Sequence, residues 1–463
     1  MVACSSSKVA EGRNEEEYLP PATELAASVS IDASKTIKRI PRGLYGTHAA
    51  WVWDAEGLWD GDRNQFQSNV LQLAENLDPG PVRFPGGIGA DFYHWRDGVG
   101  PQKVRPIRSH GSDKDKSRNG FGTHELMDFC RRIGSEPILI PNILGGTPEE
   151  AGDWVDYCNR PNHPERARNG SPAPFGVRLW EVGNEPYAKA WNPAQKQGQM
   201  TASAYADKFL RYAAAMKKAD PSIQLMAVGG TNFGTYAFLE DDRWNETLLK
   251  KCGAAMDYLA VHNAYTPVLI KQASFYDVYR AMVTFPEHIK KNFETLDRQI
   301  ETFAPESAGH IKIATTEWGP YFAPRNEEVY LDHSKTMGAA LSVAATMQVF
   351  LNAKRLEIAN FFKFIDLAFQ GCVGHDGVPK PSYFALEMFS RHFGEDLVVS
   401  SVKSPTYDFP KAVGAVDPIQ NVSYLTMVAS RSADGRKLYV LAVNRSFNNP
   451  IRTRINIQGF RPS

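Results

Sequence analysis

Val177-Arg178-Leu179-Trp180-Glu181-Val182-Gly183-Asn184-Glu185-Pro186 is an apolar run that closes on a polar pair and a proline. Alternating large apolar residues read as a buried strand, and the proline turns the chain away because it has no N–H for the ladder. A carboxylate at the end of such a strand is costly unless something uses it. A second stretch has the same form: Ile311-Lys312-Ile313-Ala314-Thr315-Thr316-Glu317-Trp318-Gly319. Two strand-terminal glutamates in one chain point to a paired-carboxylate site.

Working outward, apolar strand patterns fall at 43–48, 81–85, 136–141, 177–183, 223–229, 256–262, 311–316 and 357–363. Helical patterns lie between them. Leu126, Phe129, Cys130 and Ile133 share one face of a segment from Thr123, and Tyr205, Phe209, Tyr212, Ala213 and Met216 share a face over 202–219. Eight strands alternating with helices are what an eightfold β/α (TIM) barrel requires, and a doubly wound sheet rarely needs so many. After Phe389 the pattern changes to short strands and turns such as Ser432-Ala433-Asp434-Gly435. This predicts a C-terminal antiparallel β-sandwich, joined by an early strand near Val29. The expected organisation is a disordered 1–24, a sandwich strand in 25–36, the catalytic barrel over 37–389 and the sandwich over 390–463. The sandwich reads as cut short at Ser463.

The bulk numbers exclude more than they assign. The 463 residues carry 52 basic and 52 acidic side chains, so neither nucleic acid nor an anionic membrane is indicated as a partner. Five scattered cysteines without a C-x-x-C form neither a disulfide framework nor a metal pattern, and no cofactor is called for. Met1-Val2-Ala3-Cys4-Ser5-Ser6-Ser7 looks like a bacterial lipoprotein cleavage site, which would put a lipid anchor on Cys4 and the protein outside the cytoplasm. An ordinary flexible N-terminus in a cytoplasmic protein is the other reading. The segment from His333 to Asn352 reads as a buried helix, interrupted by Lys335 and Gln348, and not as a membrane span.

In such a barrel the chemistry sits at the C-terminal strand ends. Glu185 ends the fourth strand and Glu317 the seventh, across the mouth from one another. Paired carboxylates about 5 Å apart carry out glycoside hydrolysis with retention. Asn184 can donate its amide to a sugar hydroxyl beside the reacting carbon.

These residues carry a resemblance. Asn184-Glu185-Pro186 and Glu317-Trp318 look like the retaining glycosidases built on this barrel. Val82-Arg83-Phe84-Pro85-Gly86-Gly87, His94-Trp95-Arg96-Asp97-Gly98-Val99-Gly100-Pro101, Asp257-Tyr258-Leu259-Ala260-Val261-His262 and Val440-Leu441-Ala442-Val443-Asn444-Arg445 are similar to glycoside hydrolase family 51, best known for α-L-arabinofuranosidases. The resemblance runs in order from about residue 27 to 450. It implies that Glu185 is the general acid/base and Glu317 the nucleophile, and that the family's C-terminal sandwich continues beyond this chain. His262 would orient Glu317 or bind a sugar hydroxyl, with a core histidine as the alternative. Tyr265 would hydrogen-bond the nucleophile, and Arg83 would hold it ionised, with a structural ion pair competing.

Departures from the family bear on specificity. Gly46-Thr47-His48-Ala49-Ala50-Trp51 stands where the family has a Glu-His pair, Ile88 stands for an Asn, and Lys363 for a Gln. Those polar residues grip arabinose. In their place the loops offer Trp51, Trp53, Trp59, Trp95, Trp191, Tyr321 and Phe322, with Trp318 beside the nucleophile. Such aromatic platforms suit a longer glucan or xylan chain. The leading expectation is therefore an endo-acting β-glucanase on plant cell-wall polysaccharide. An α-L-arabinofuranosidase is the alternative, and a non-catalytic carbohydrate-binding barrel the reading from another class.

Overall fold

The computed structural model describes residues 21–461 apart from Glu56, 110–115, 188–199, 232–242, Asn263, 268–273, 322–333, 367–370 and Ala415. The side chains of Ile88, Tyr265 and Tyr321 also lie outside the description, as do Cys4, Trp191 and Phe322 altogether.

The chain opens with a long strand, β1 (Leu25–Arg39), and then enters a closed parallel barrel. Its strands are β2 (Gly46–His48), β3 (Val82–Phe84), β4 (Pro137–Leu139), β5 (Leu179–Val182), β6 (Gln224–Val228), β7 (Tyr258–Val261), β8 (Lys312–Tyr321) and β9 (Leu356–Phe361). Each pairs with the next, β9 pairs back with β2, and Asn360 opposite Gly46 closes the ring. Six of the eight strand patterns in the sequence hold their strand whole, while β8 runs on to Tyr321 beyond its pattern at 311–316 and β9 begins at Leu356, one residue before its pattern at 357–363.

Period-two alternation sorts the side chains. Ile138, Leu179, Met226, Tyr258, Ala260, Ala314 and Ile358 fill the barrel interior, and the intervening residues pack outward under the helices. Among those helices are α1 (Thr123–Arg132), α2 (Pro148–Asn159), α3 (Ala202–Ala219), α4 (Phe275–Phe303) and α5 (Met337–Asn352). Thr147, Thr201 and Thr336 precede α2, α3 and α5, and each side chain caps an otherwise unbonded amide. Helix α5 is small-residue rich and buried on nearly every face because the C-terminal sheet covers what the barrel leaves open. Gln348 Nε2 reaches across to the carbonyl of Leu441 at 3.0 Å. No described helix is long and apolar enough to cross a membrane. Cys130, Cys158, Cys252 and Cys372 are buried free thiols.

The second unit is a five-stranded sheet in the order β12 (Leu438–Asn444), β11 (Leu425–Arg431), β10 (Asp396–Lys403), β1, β13 (Ile451–Gln458). The strand expected near Val29 is longer than its apolar pattern and lies inside this sheet. Val29 pairs with Val402 of β10 in antiparallel fashion and with Ile455 of β13 in parallel, so one ladder departs from the antiparallel expectation.

Candidate active site

Alternation also builds the polar cluster at the C-terminal end of the barrel. On β5, Leu179 points to the axis, so Glu181 points there too, while Trp180 and Val182 pack outward. The same count places Arg83 inward between Val82 and Phe84, Thr316 two residues beyond Ala314, and His262 two beyond Ala260. After Val182 the backbone turns sharply. Gly183 has φ 90° and Glu185 φ 40°, which lifts the Glu185 side chain to the mouth. A side chain at Gly183 would collide with Ile143.

Arg83 is the hub. Its side chain is wholly buried, and its three faces are each used. Nε donates to Glu181 Oε2, Nη1 to Glu317 Oε1 at 2.7 Å and Nη2 to Asn184 Oδ1 at 2.8 Å. Burial works against the arginine charge, but Glu181 and Glu317 outweigh it and raise its pKa further. The hydroxyl of Thr316 donates to Glu181 Oε1 at 2.8 Å.

His262 joins the carboxylates. Its Nδ1 lies 2.9 Å from Glu185 Oε1 and 3.7 Å from Glu317 Oε2, and its Nε2 lies 3.9 Å from Glu181 Oε1. Burial opposes its proton, yet the charge of Glu317 and the hydrogen bond to Glu185 prevail and its pKa is raised. His48 goes the other way. Burial and the charge of Arg83 push its pKa well below the usual value, and Nε2–H donates to the carbonyl of Thr316 at 2.7 Å.

One carboxylate oxygen of Glu185, one of Glu317 and a ring nitrogen of His262 lie within 4.8 Å of one another. These donor types can also hold a cation, but here the histidine and Glu185 are hydrogen-bonded to each other. The Glu185 side chain keeps 18% exposure, against 6% for Glu317 and none for Glu181. The cluster thus opens to solvent at Glu185 and is sealed behind it.

The structure brings Glu185, Glu317, Asn184, His262 and Arg83 into this one cluster. Asn184 Nδ2 has no protein partner among the described residues, which leaves it as a donor. His262 hydrogen-bonds Glu185 and also faces Glu317 at 3.7 Å. Tyr265 belongs to a short strand, Ala264–Pro267, with its side chain outside the described residues. Lys363 is buried beside the first-strand end of the barrel.

The aromatic platforms are corrected. Trp51, Trp95 and Trp318 are at most 1% exposed and present no face to a sugar. Trp51 donates to Asn119 Oδ1 and packs on Tyr93, and Trp95 donates to the carbonyl of Glu150 and lies parallel to Trp154. Trp318 is wedged edge-on between Phe350 and Phe361. The loops fold back on the barrel, and large rings gain more from burial than from standing in water. Of these tryptophans, Trp53 remains 40% exposed.

Two acidic residues near the cluster were not singled out from sequence. Glu181 carried a signal, a charge on the inward phase of an apolar strand. Asp91, in the turn after Gly87, carried none. Burial and the neighbouring Glu185 push its pKa well up, against Lys208 and Arg83.

Residues 73–280 match the model of the α-L-arabinofuranosidase 1 domain and residues 316–463 that of the α-L-arabinofuranosidase C-terminal domain. The chain belongs to glycoside hydrolase family 51. Among curated relatives, a probable α-L-arabinofuranosidase C of Aspergillus niger is 27% identical, over 93% of this chain and 87% of its own length. An intracellular exo-α-(1→5)-L-arabinofuranosidase of Halalkalibacterium halodurans is 24% identical, over 94% and 88%. The α-L-arabinofuranosidase of Thermotoga maritima, solved as an arabinose complex, superposes with a TM-score of 0.81 at 26% identity, covering 94% of this chain and 88% of that one. As a family 51 member the protein is a retaining glycoside hydrolase acting on plant polysaccharide.

Proposed function

We propose that this enzyme is an α-L-arabinofuranosidase, releasing terminal arabinofuranose from arabinan or arabinoxylan, with Glu317 as nucleophile and Glu185 as general acid/base. The observation that carries the roles is the carboxylate pair within 4.8 Å, one member held by Arg83 deep in the barrel and the other at the mouth. That proximity fits the close carboxylate pair of a retaining enzyme, about 5 Å apart, better than the wider spacing of an inverting one. Glu317 attacks the anomeric carbon while Glu185 gives its proton to the leaving oxygen. Glu185 then takes a proton from water, which displaces Glu317 from the covalent intermediate. Asn184 Nδ2 is placed to donate to the sugar hydroxyl next to that carbon.

The relatives support the sugar, and the burial of Trp51, Trp95 and Trp318 takes away the main argument for an endo-acting glucanase. The test is direct. Release of 4-nitrophenol from its α-L-arabinofuranoside at a kcat/KM of about 10⁴ M⁻¹s⁻¹ or more supports the reading. Oligosaccharides from soluble β-glucan, with no arabinofuranoside turnover, would restore the glucanase.

A further inference from the structure

Glu181 has no part in two-carboxylate chemistry, yet it sits at the centre of the cluster. It lies on β5, four residues before Glu185 and ahead of the turn that lifts Glu185 to the mouth, wholly buried, where a carboxylate is costly unless fully paired. It is held from three strands at once: by Arg83 Nε from β3, by the Thr316 hydroxyl at 2.8 Å from β8, and with His262 Nε2 at 3.9 Å beyond β7.

We propose that Glu181 is a positioning residue for the glycosidase reaction: it clamps Arg83 so that Nη1 reaches Glu317, and it shares the arginine's charge so that the nucleophile is not fully neutralised. The guanidinium is planar, and bonding Nε to Glu181 fixes that plane, so Nη1 and Nη2 project to Glu317 and Asn184 in one orientation. Thr316 ties the far oxygen of Glu181 to the residue beside the nucleophile. An Arg83 paired with Glu317 alone would offset its charge one for one and blunt its attack. With Glu181 included, one cation faces two carboxylates. The inference rests on Glu317 being the nucleophile of a retaining enzyme.

The titratable groups around Glu181 are Arg83, His262, Glu317 and Glu185, with Tyr205 approaching from α3, where its hydroxyl donates to the Val182 carbonyl at 2.8 Å. Removing one buried negative charge from such a coupled set loosens every proton it holds.

The test is Glu181→Gln in the full chain, assayed across pH on whichever aryl glycoside the wild type turns over. Failure of the arabinofuranoside reading is thereby kept separate from failure of this one. The expected result is a fall in kcat of about ten- to a hundredfold with KM little changed, and both limbs of the kcat/KM profile displaced to lower pH by about a unit. Glu181→Asp, which keeps the charge but shortens the reach, should lower kcat and leave the limbs in place. Limbs that do not move in Glu181→Gln, with kcat within about twofold of wild type, would overturn the proposal and leave a structural ion pair. Should Glu181→Gln not fold, Thr316→Val provides the second arm. It removes the hydroxyl bond to Glu181, so kcat should fall at constant KM, and a fully active Thr316→Val would overturn the proposal equally.

Discussion

His262 Nδ1 and Glu185 Oε1 stand 2.9 Å apart, joining the buried wall of the cluster to its solvent-facing carboxylate. The bond gives the imidazole a reason to stay charged in a place that otherwise disfavours charge.

That has a pH consequence. The folded-state pKa of His262 is raised, so its proton stabilises the native state fully below the unfolded value of about 6.5. The contribution is lost as pH rises through the folded pKa. The melting temperature of wild type should exceed that of His262→Gln by more at pH about 5.5 than at pH about 9. A gap that is constant, or that widens with pH, would contradict the pairing.

The proposed roles predict different chemistry for the two glutamates. Glu317→Gly should abolish turnover of polysaccharide. Glu185→Ala should keep partial activity on an aryl glycoside with a good leaving group, and added azide should accelerate it and yield a glycosyl azide of retained configuration. Rescue of Glu317→Gly with an inverted product would reverse the assignment.

Gly183 combines φ 90° with contact against Ile143, immediately before the Asn184-Glu185 pair. Gly183→Ala should therefore cost about 1–3 kcal/mol of stability, read by chemical denaturation, and should lower kcat as Glu185 shifts. An alanine variant with wild-type stability would mean the turn adapts freely.

The tryptophans separate by burial. Trp95→Ala should destabilise by about 3–5 kcal/mol, because it removes a ring packed on Trp154. Trp53→Ala should leave the melting temperature within a degree or two and, if the ring meets the substrate beyond the cleaved bond, raise KM for oligosaccharides but not for a small aryl glycoside. Equal destabilisation by both would contradict the packing.

The barrel strands were legible because each is an apolar run bounded by turn residues, and the polar breaks in those runs advertised the carboxylates, although β8 continues past Glu317 to Tyr321 instead of ending there. What alternation could not supply was partnership. Arg83, Glu181 and Glu317 lie on β3, β5 and β8, and who bonds whom depends on stagger between strands that are not neighbours. The inward phase of Glu181 was readable from Leu179 two positions earlier, yet its use was not. The tryptophans misled for a different reason. A ring on a loop looks the same in sequence whether the loop stands open or folds back, and here Tyr93 and Trp154 were waiting to receive Trp51 and Trp95.

Strand β1 bears on how the molecule is made. It is synthesised before the barrel, but its ladder partners β10 and β13 are synthesised after it. Closing so long a loop is slow, and Val29 and Ile31 have no sheet to enter until β10 emerges. A nascent chain stalled after β9 would hold a finished barrel with an orphan ribbon, open to pairing with the same ribbon of a neighbouring chain. The two units are thus sewn together by the thread that starts the molecule. Cutting the gene after the barrel would leave β1 without its sheet, and cutting before it would leave the sheet without an interior strand.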